Sequence, residues 1–284
     1  MRVAFATCSA FPQGWEDDHP AARLLEAEYR CWDDPAVKWE RYDRVVIRST
    51  WDYTKRVEEF VAWSRRVGAE LLRNVPDLVA FNADKRYLRE LGVPSVPTWF
   101  LEPGETLPAH EGELVVKPNV SAGARETGRF GAGTRELAGA LVDQIHASGR
   151  TALVQPYMSA IDERGETALV FLAGELSHVL RKQAVLGPDE VAPTAPGELG
   201  VARAMLREDL VGASACSDHE RDFAQSVLDE ITERFGTPLY ARVDLVPDER
   251  GAPLLLELEA VEPNLYLAHS RGGAERLAAA VLAS

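Results

Sequence analysis

Apolar runs and helically spaced apolar positions take turns along this chain. Residues 2–7 predict a strand, 20–29 a helix, 45–49 a second strand, 57–67 a helix and 70–73 another short strand. That alternation predicts a small parallel α/β domain ending near Val75 to Leu78. Asn82 reads as the N-cap of a helix that runs to Leu91 and is stopped by Gly92 and Pro94. Strands at 113–117 and 152–155 flank a helix at 134–147. A strand pair at 167–172 and 176–182 turns at Ala173-Gly174, and 187–197, rich in Pro and Gly, reads as a loop. A long amphipathic helix at 218–235, an acidic strand pair at 240–265 and a last helix at 274–282 complete an α/β chain whose second half is of α+β character. It contains no repeat and no low-complexity tract.

The strand pair at 240–265 concentrates carboxylates, with Asp244 before its polar turn at 247–253 and Glu257 and Glu259 after it. Alternate residues of a strand share a face, so Glu257 and Glu259 point together, and hairpin pairing brings Asp244 to the same side. Three carboxylates in one place repel one another unless a cation joins them, and hard oxygen donors suit magnesium. A solvated acidic face is the competing reading. Upstream, an apolar run (114–116) ends in Lys117 and Pro118, followed by Gly123, Gly128, Gly131 and Gly133. Glycines let backbone N–H groups approach an anion, and Ser121, Arg125, Thr127 and Arg129 add donors. A Walker A loop and a Rossmann fingerprint are both absent. Taken together, the two segments suggest a phosphate grip facing a magnesium site.

Composition narrows the partners. A length of 284 residues allows two or three subdomains, and 46% hydrophobic with 27% charged residues is globular. A formal charge of −14 argues against nucleic acid or an anionic membrane as partner but is compatible with ATP, which needs only a few local cations. The odd, scattered cysteines (Cys8, Cys31, Cys216) suggest neither a disulfide framework nor a zinc site. The apolar run at the N-terminus is too short for a signal peptide, no window approaches a membrane span, and the expected location is cytoplasmic.

Several blocks in this order resemble the ATP-grasp superfamily of carboxylate–amine ligases: a strand ending in Lys-Pro with a glycine-rich loop, VQPY, GETALVFLAGELSHVLRK, and YARVD followed by LELE. Their spacing, from about Asn82 to Leu267, is similar to that of bacterial glutathione synthetase and D-alanine–D-alanine ligase. RSTWDYTKR, NADKRYL and KPNVSAGARETGRF are similar, more narrowly, to the cyclo-ligases that close O-ureido-D-serine to D-cycloserine. The resemblance implies an ATP-grasp fold with a pre-ATP-grasp domain (1–78), a central subdomain (79–155) and a C-terminal subdomain (156–284). It implies Lys85 and Lys117 as ATP lysines, Gln155, Pro156, Tyr157 and Met158 as the adenine hinge, and Glu166 on the ribose. By the same likeness Arg242 steadies the acyl phosphate, and Asp244, Glu257 and Glu259 hold magnesium. Ligases of this kind are often dimers. Two departures stand out. Glu259 replaces the family's frequent asparagine, with Asn264 placed to take part of its role, and the loop has fewer glycines than most.

Each assignment has a plainer competitor. Lys85 alone reads as a solvated helix lysine, Arg242 and Asp244 share a face and could be a structural salt bridge, and Trp51 reads as core. His178 and His269 sit in no nucleophile or metal-ligand spacing. Arg48, Asp52 and Tyr53 follow the strand at 45–49, where open α/β sheets bind ligands, and are expected to contact substrate. Charge alone suggests Arg125 or Arg129 for the substrate carboxylate and Asp52 for its ammonium. The expected activity is ATP- and magnesium-dependent ligation of a small amino-acid-like substrate, by ring closure. The alternatives are a ligase joining two amino acids and a nucleotide-binding regulator without turnover.

Overall fold

The protein is seen as a computed structural model that describes all of its 284 residues except Pro196 and Glu198. The first sheet is parallel, with β1 (Val3–Thr7), β2 (Glu28–Cys31), β3 (Arg44–Ile47) and β4 (Leu72–Arg73) in the order β2-β1-β3-β4. Two helices connect its strands, α1 (His19–Leu24) and α2 (Val57–Val67). The helix expected over 20–29 is cut short. Leu25 closes α1 and Glu26 turns through φ 50°, which frees Glu28–Cys31 to pair with β1. The helix expected from Asn82 is also corrected. Asn82 instead ends a helix begun by a proline, α3 (Pro76–Asn82), and Asp84 caps a short 3-10 turn at Lys85–Arg89 by accepting from the Arg86 N–H.

Next come β5 (Trp99–Leu101), β6 (Leu114–Pro118), β7 (Gly128–Phe130), α4 (Arg135–Ala147) and β8 (Ala152–Pro156). These strands form an antiparallel central sheet whose apolar residues Leu114, Val116 and Phe130 pack under Leu141, Val142 and Ile145 of α4. After α5 (Ala160–Arg164), β9 (Glu166–Leu172) and β10 (Glu175–Lys182) form a hairpin with a bulge between Leu176 and His178. β11 (Glu190–Val191) returns to the edge of the central sheet, so the loop expected over 187–197 holds a two-residue strand; position 196 of that loop lies outside the described residues. β12 (Val211–Ser214), α6 (Asp218–Phe235), β13 (Tyr240–Pro247), β14 (Pro253–Glu259) and α7 (Gly273–Ala283) complete the chain. The third sheet is antiparallel, in the order β12-β10-β9-β13-β14.

Helix α6 begins at a reciprocal cap, Ser217 accepting from the Glu220 N–H while Glu220 accepts from the Ser217 N–H. Its stripe of Ala224, Val227, Leu228 and Ile231 covers Leu169, Phe171, Ala241 and Val243 on one face of the third sheet. Burial of each large side chain there contributes roughly 1.5–3 kcal/mol. On the opposite face Ala168, Val170 and Tyr240 meet Phe5, Val46, α1 and α7, so the first and third sheets share a core. Edge strand β14 is tied down by buried side chains. Asn82 donates to Leu258 O (2.9 Å) and accepts from Ala260 N (2.7 Å), the Tyr87 hydroxyl donates to Leu258 O (2.9 Å) and accepts from Leu258 N (2.7 Å), and Asn74 donates to Tyr240 O (2.9 Å) and Ala260 O (2.8 Å). These bonds satisfy backbone groups that an edge strand otherwise leaves open. Among the described residues, no helix is long and apolar enough to cross a membrane.

Candidate active site

A cavity of about 710 Å³ opens between the central and third sheets, with the first sheet's loops at one end. Its lining changes character along its length. One end is apolar, formed by Val115, Tyr157, Met158, Ile161 and Leu256. The middle gathers four cations, Lys85, Lys117, Lys182 and Arg242, around Glu166, Asp244, Glu257 and Glu259. Trp15, Trp51, Tyr53 and Glu262 line the far end.

Strand register builds the middle. Asp244 pairs with Glu257 and Arg242 with Glu259 across β13 and β14, while Lys182 stands opposite Glu166 across β10 and β9. Arg242 grips Asp244 from Nε (2.8 Å) and Nη2 (3.0 Å), contacts Glu259, and donates from Nη1 to Asn264 O (2.9 Å). Lys182 Nζ bridges Glu166 (2.8 Å) and Asp244 (2.7 Å). Lys85 Nζ lies 3.2 Å from Glu257 and donates to Ser121 O at 2.7 Å. Lys117 is different: only 8% exposed, its amine has no hydrogen bond or ion pair among the described residues.

The electrostatics follow from these contacts. Burial alone raises the Asp244 carboxyl, but Arg242 and Lys182 overcome it and hold Asp244 well below the usual carboxylate range. Glu257 is half-buried, and Lys85 and Lys117 overcome the effect of that burial and bring it below its ordinary value. Glu259 goes the other way, raised by burial and by Asp244 and Glu257 against the pull of Arg242. Lys117 is lowered by burial, with Lys85 and Lys182 adding repulsion and Glu257 opposing them. Burial, reinforced by Glu259, pushes Glu262 up to about 8, with the Tyr53 hydroxyl facing it.

Of the residues expected at the site, Lys85, Lys117, Gln155, Pro156, Tyr157, Met158, Glu166, Arg242, Asp244, Glu257, Glu259, Asn264 and Tyr53 line this cavity. Four others are turned elsewhere. Arg48, 2% exposed, is spent on Asp18 (2.9 Å), Pro263 O (3.0 Å) and the ring of Tyr240. Asp52 accepts from the Trp32 indole (2.8 Å) and Arg56 (3.1 Å). Arg125 pins loops together, donating to Leu199 O (2.6 Å) and Trp51 O (3.0 Å). Arg129 stacks 3.5 Å from the centre of the Tyr157 ring and pairs with Glu113 and Asp162. Lys182 and Glu262 belong to the cavity without having been expected there.

The donor set fits magnesium of one kind. Among the described residues, no three acidic, histidine or cysteine side chains, the expected trio of Asp244, Glu257 and Glu259 included, are grouped so as to hold a metal ion by themselves. The Asp244 side chain is 2% exposed and doubly paired, whereas those of Glu257 and Glu259 are 24% and 30% exposed. Two accessible carboxylates with a third behind them suit an ion that arrives with phosphates and keeps part of its water.

Comparison with known proteins gives this geometry its place. A family model described as the N-terminal domain of D-cycloserine synthetase DcsG matches residues 3–74. The cycloserine biosynthesis protein DcsG of Streptomyces lavendulae is 34% identical over 275 residues, covering 90% of this chain and 88% of that protein. The chain belongs to the D-cycloserine synthetase family. A crystal structure of D-cycloserine synthetase DcsG superposes with a TM-score of 0.85 at 31% identity, over 99% of this chain and 98% of the other. D-alanine–D-alanine ligase from Bacillus anthracis, solved with ATP, shares the fold at 13% identity and a TM-score of 0.61, over 100% of this chain and 96% of that one. The expected ATP-grasp architecture is therefore the observed one, and the protein is an ATP-dependent ligase that forms carbon–nitrogen bonds.

Proposed function

We propose that the protein activates the carboxylate of O-ureido-D-serine with ATP and closes it to D-cycloserine. The observation that carries the phosphate half of this reading is Lys117, a buried amine without a hydrogen-bond or ion-pair partner among the described residues, lining a cavity that also holds Lys85, Lys182 and Arg242. An unpaired buried cation is costly, and a polyphosphate relieves that cost. Family membership supports the substrate.

A carboxylate is a poor electrophile until its oxygen is phosphorylated. In this reading the apolar end takes adenine, with 155–158 along its edge and Glu166 at the ribose. Lys85 and Lys117 neutralise the phosphates. Glu257 and Glu259, backed by Asp244, would hold magnesium, which when bound offsets phosphate charge. Arg242, fixed by Asp244 and Asn264, faces the oxygen that becomes negative as the activated carbonyl is attacked. The loop after β6 shields the acyl phosphate from water: Gly123 O accepts from Ala202 N and Thr127 O from Ala192 N, each at 2.8 Å. The ureido nitrogen bound to oxygen then closes the five-membered ring, phosphate departs, and water releases the carbamoyl group as ammonia and carbon dioxide. The setting is the cytoplasm, where ATP is available.

Incubation with Mg-ATP and O-ureido-D-serine, followed by mass spectrometry, tests the reading. D-cycloserine with one ADP and one phosphate per turnover is expected. Condensation of two separate amino acids with O-ureido-D-serine untouched would establish a ligase of the peptide-forming type instead. AMP and pyrophosphate would mean adenylation, and ATP binding without product from any substrate would mean a regulator.

A further inference from the structure

We propose that Glu262 anchors the α-ammonium group of the substrate, with the ring of Trp51 as the adjoining wall. This rests on the amino-acid reading above. Every other carboxylate on the β9–β13–β14 face has its cation: Glu166 and Asp244 have Lys182, Asp244 and Glu259 have Arg242, and Glu257 has Lys85. Glu262, three residues beyond Glu259 and 9% exposed, has no ion-pair partner among the described residues, yet it lines the same cavity. A buried carboxyl beside other acids and open to a cavity either keeps its proton or takes up a cation.

Its surroundings fit an ammonium. The Trp51 indole N–H donates to the backbone oxygen of Glu262 at 3.1 Å, which ties that ring to the same residue at the cavity wall. Trp51 meets Phe11 and Trp15 edge-on at 5.4 and 5.6 Å between ring centres, a wall whose π faces favour cations. Tyr53 closes the other side. The charged and titratable groups that act on Glu262 are Tyr53, Lys85, Arg125, Tyr240, Glu257 and Glu259. The carboxyl is raised to about 8 by burial first and Glu259 second, so in the empty site it keeps its proton at neutral pH. An arriving ammonium turns it into a carboxylate, and the proton is released. Of the other acids near this end, Glu16 is exposed, Asp17 accepts from the Leu267 and Ala268 N–H groups, and Asp52 is taken up by Trp32 and Arg56.

The test compares O-ureido-D-serine with its analogue lacking the amino group, in the wild-type enzyme and in Glu262→Gln. Wild type should lose on the order of 10²-fold in kcat/KM on the analogue, mostly in KM. Glu262→Gln should lose a similar factor on the amino substrate and little more on the analogue, with Mg-ATP affinity intact as the sign of a folded site. Calorimetry of wild type at pH 7 in two buffers of different ionisation enthalpy should detect proton release with the amino substrate and not with the analogue, independently of any variant. An unchanged amino-to-analogue ratio in Glu262→Gln, or equal proton release for both ligands, overturns the assignment alone. Wild type that neither binds nor turns over O-ureido-D-serine overturns the substrate reading and the assignment with it.

Discussion

Replacing Glu262 with glutamine should make the empty protein more stable at alkaline pH, although it removes a charged group from a polar cavity. The native carboxyl titrates at about 8 against an ordinary 4.5. Between those values the native state holds a proton that the unfolded chain has lost, so stability falls as pH rises through the window. At 1.36 kcal/mol per pH unit, the whole interval corresponds to a ceiling of about 5 kcal/mol, fully expressed above pH 8 and absent below pH 4.5. Glutamine is nearly the same size and stays neutral, so the variant escapes that loss. Water entry from the cavity lowers the figure, and a gain of at least about 2 kcal/mol at pH 9 relative to pH 5 is the expected result. Urea unfolding of both proteins at pH 5, 7 and 9, with chelator present and no nucleotide, measures it. The other acids of the cavity titrate in both proteins and cancel in the difference. Curves that stay parallel across this range would refute the argument that Glu262 is a buried acid without a cation.

Lys117→Met should abolish ADP release, by at least about 10²-fold in kcat, yet raise the melting temperature of the empty protein by a few degrees, since it removes a buried cation without a partner; calorimetry with and without nucleotide checks both. Asp244→Asn should cost about 3–5 kcal/mol in urea unfolding at pH 7, because Arg242 and Lys182 lose the carboxylate they share. That ion-pair stabilisation is present above pH 3.8 and lost as pH falls through the depressed value of Asp244, so the two proteins should converge in strong acid. Tyr87→Phe should cost about 2–4 kcal/mol, since the Leu258 N–H and carbonyl both lose their hydroxyl partner in a dry core; unchanged unfolding would mean that the hydroxyl is not the tie it resembles.

The carboxylate hairpin was legible in part: alternation puts Glu257 and Glu259 on one face, but an even pairing from Pro247 and Pro253 would set Asp244 opposite Leu256, and a bulge after Asp244 is what brings it opposite Glu257. Lys182 was not legible, for a specific reason. Starting from the turn at Ala173-Gly174, an even hairpin sets Arg181 opposite Glu166; the bulge between Leu176 and His178 shifts the register by one residue and turns Lys182 toward Glu166 and Asp244. No pattern in GELSHVLRK announces that bulge. Glu262 was hidden because its meaning is the lack of a cation, which only the fold reveals. Arg48 and Asp52 stand where the end of a parallel strand invites a ligand, but Asp18 and Trp32, brought in by distant segments, claimed them first. The strand β2 escaped because nothing in 24–29 breaks a helix except the backbone turn at Glu26.

The bonds from Asn74, Asn82 and Tyr87 to the acidic hairpin decide which parts of the enzyme hold together. They join the first and third sheets into one block through buried hydrogen bonds, so parting those sheets would strand polar groups in a dry interior. The central sheet is tied to them differently, through Phe100 and Leu153 packed with Leu169 and Val243 and through bonds from Asn119 to Asp84 and Lys85. Lys117, on β6, therefore belongs to a different sheet from the carboxylates of β13 and β14, and its distance from them depends on how the central sheet sits against that block.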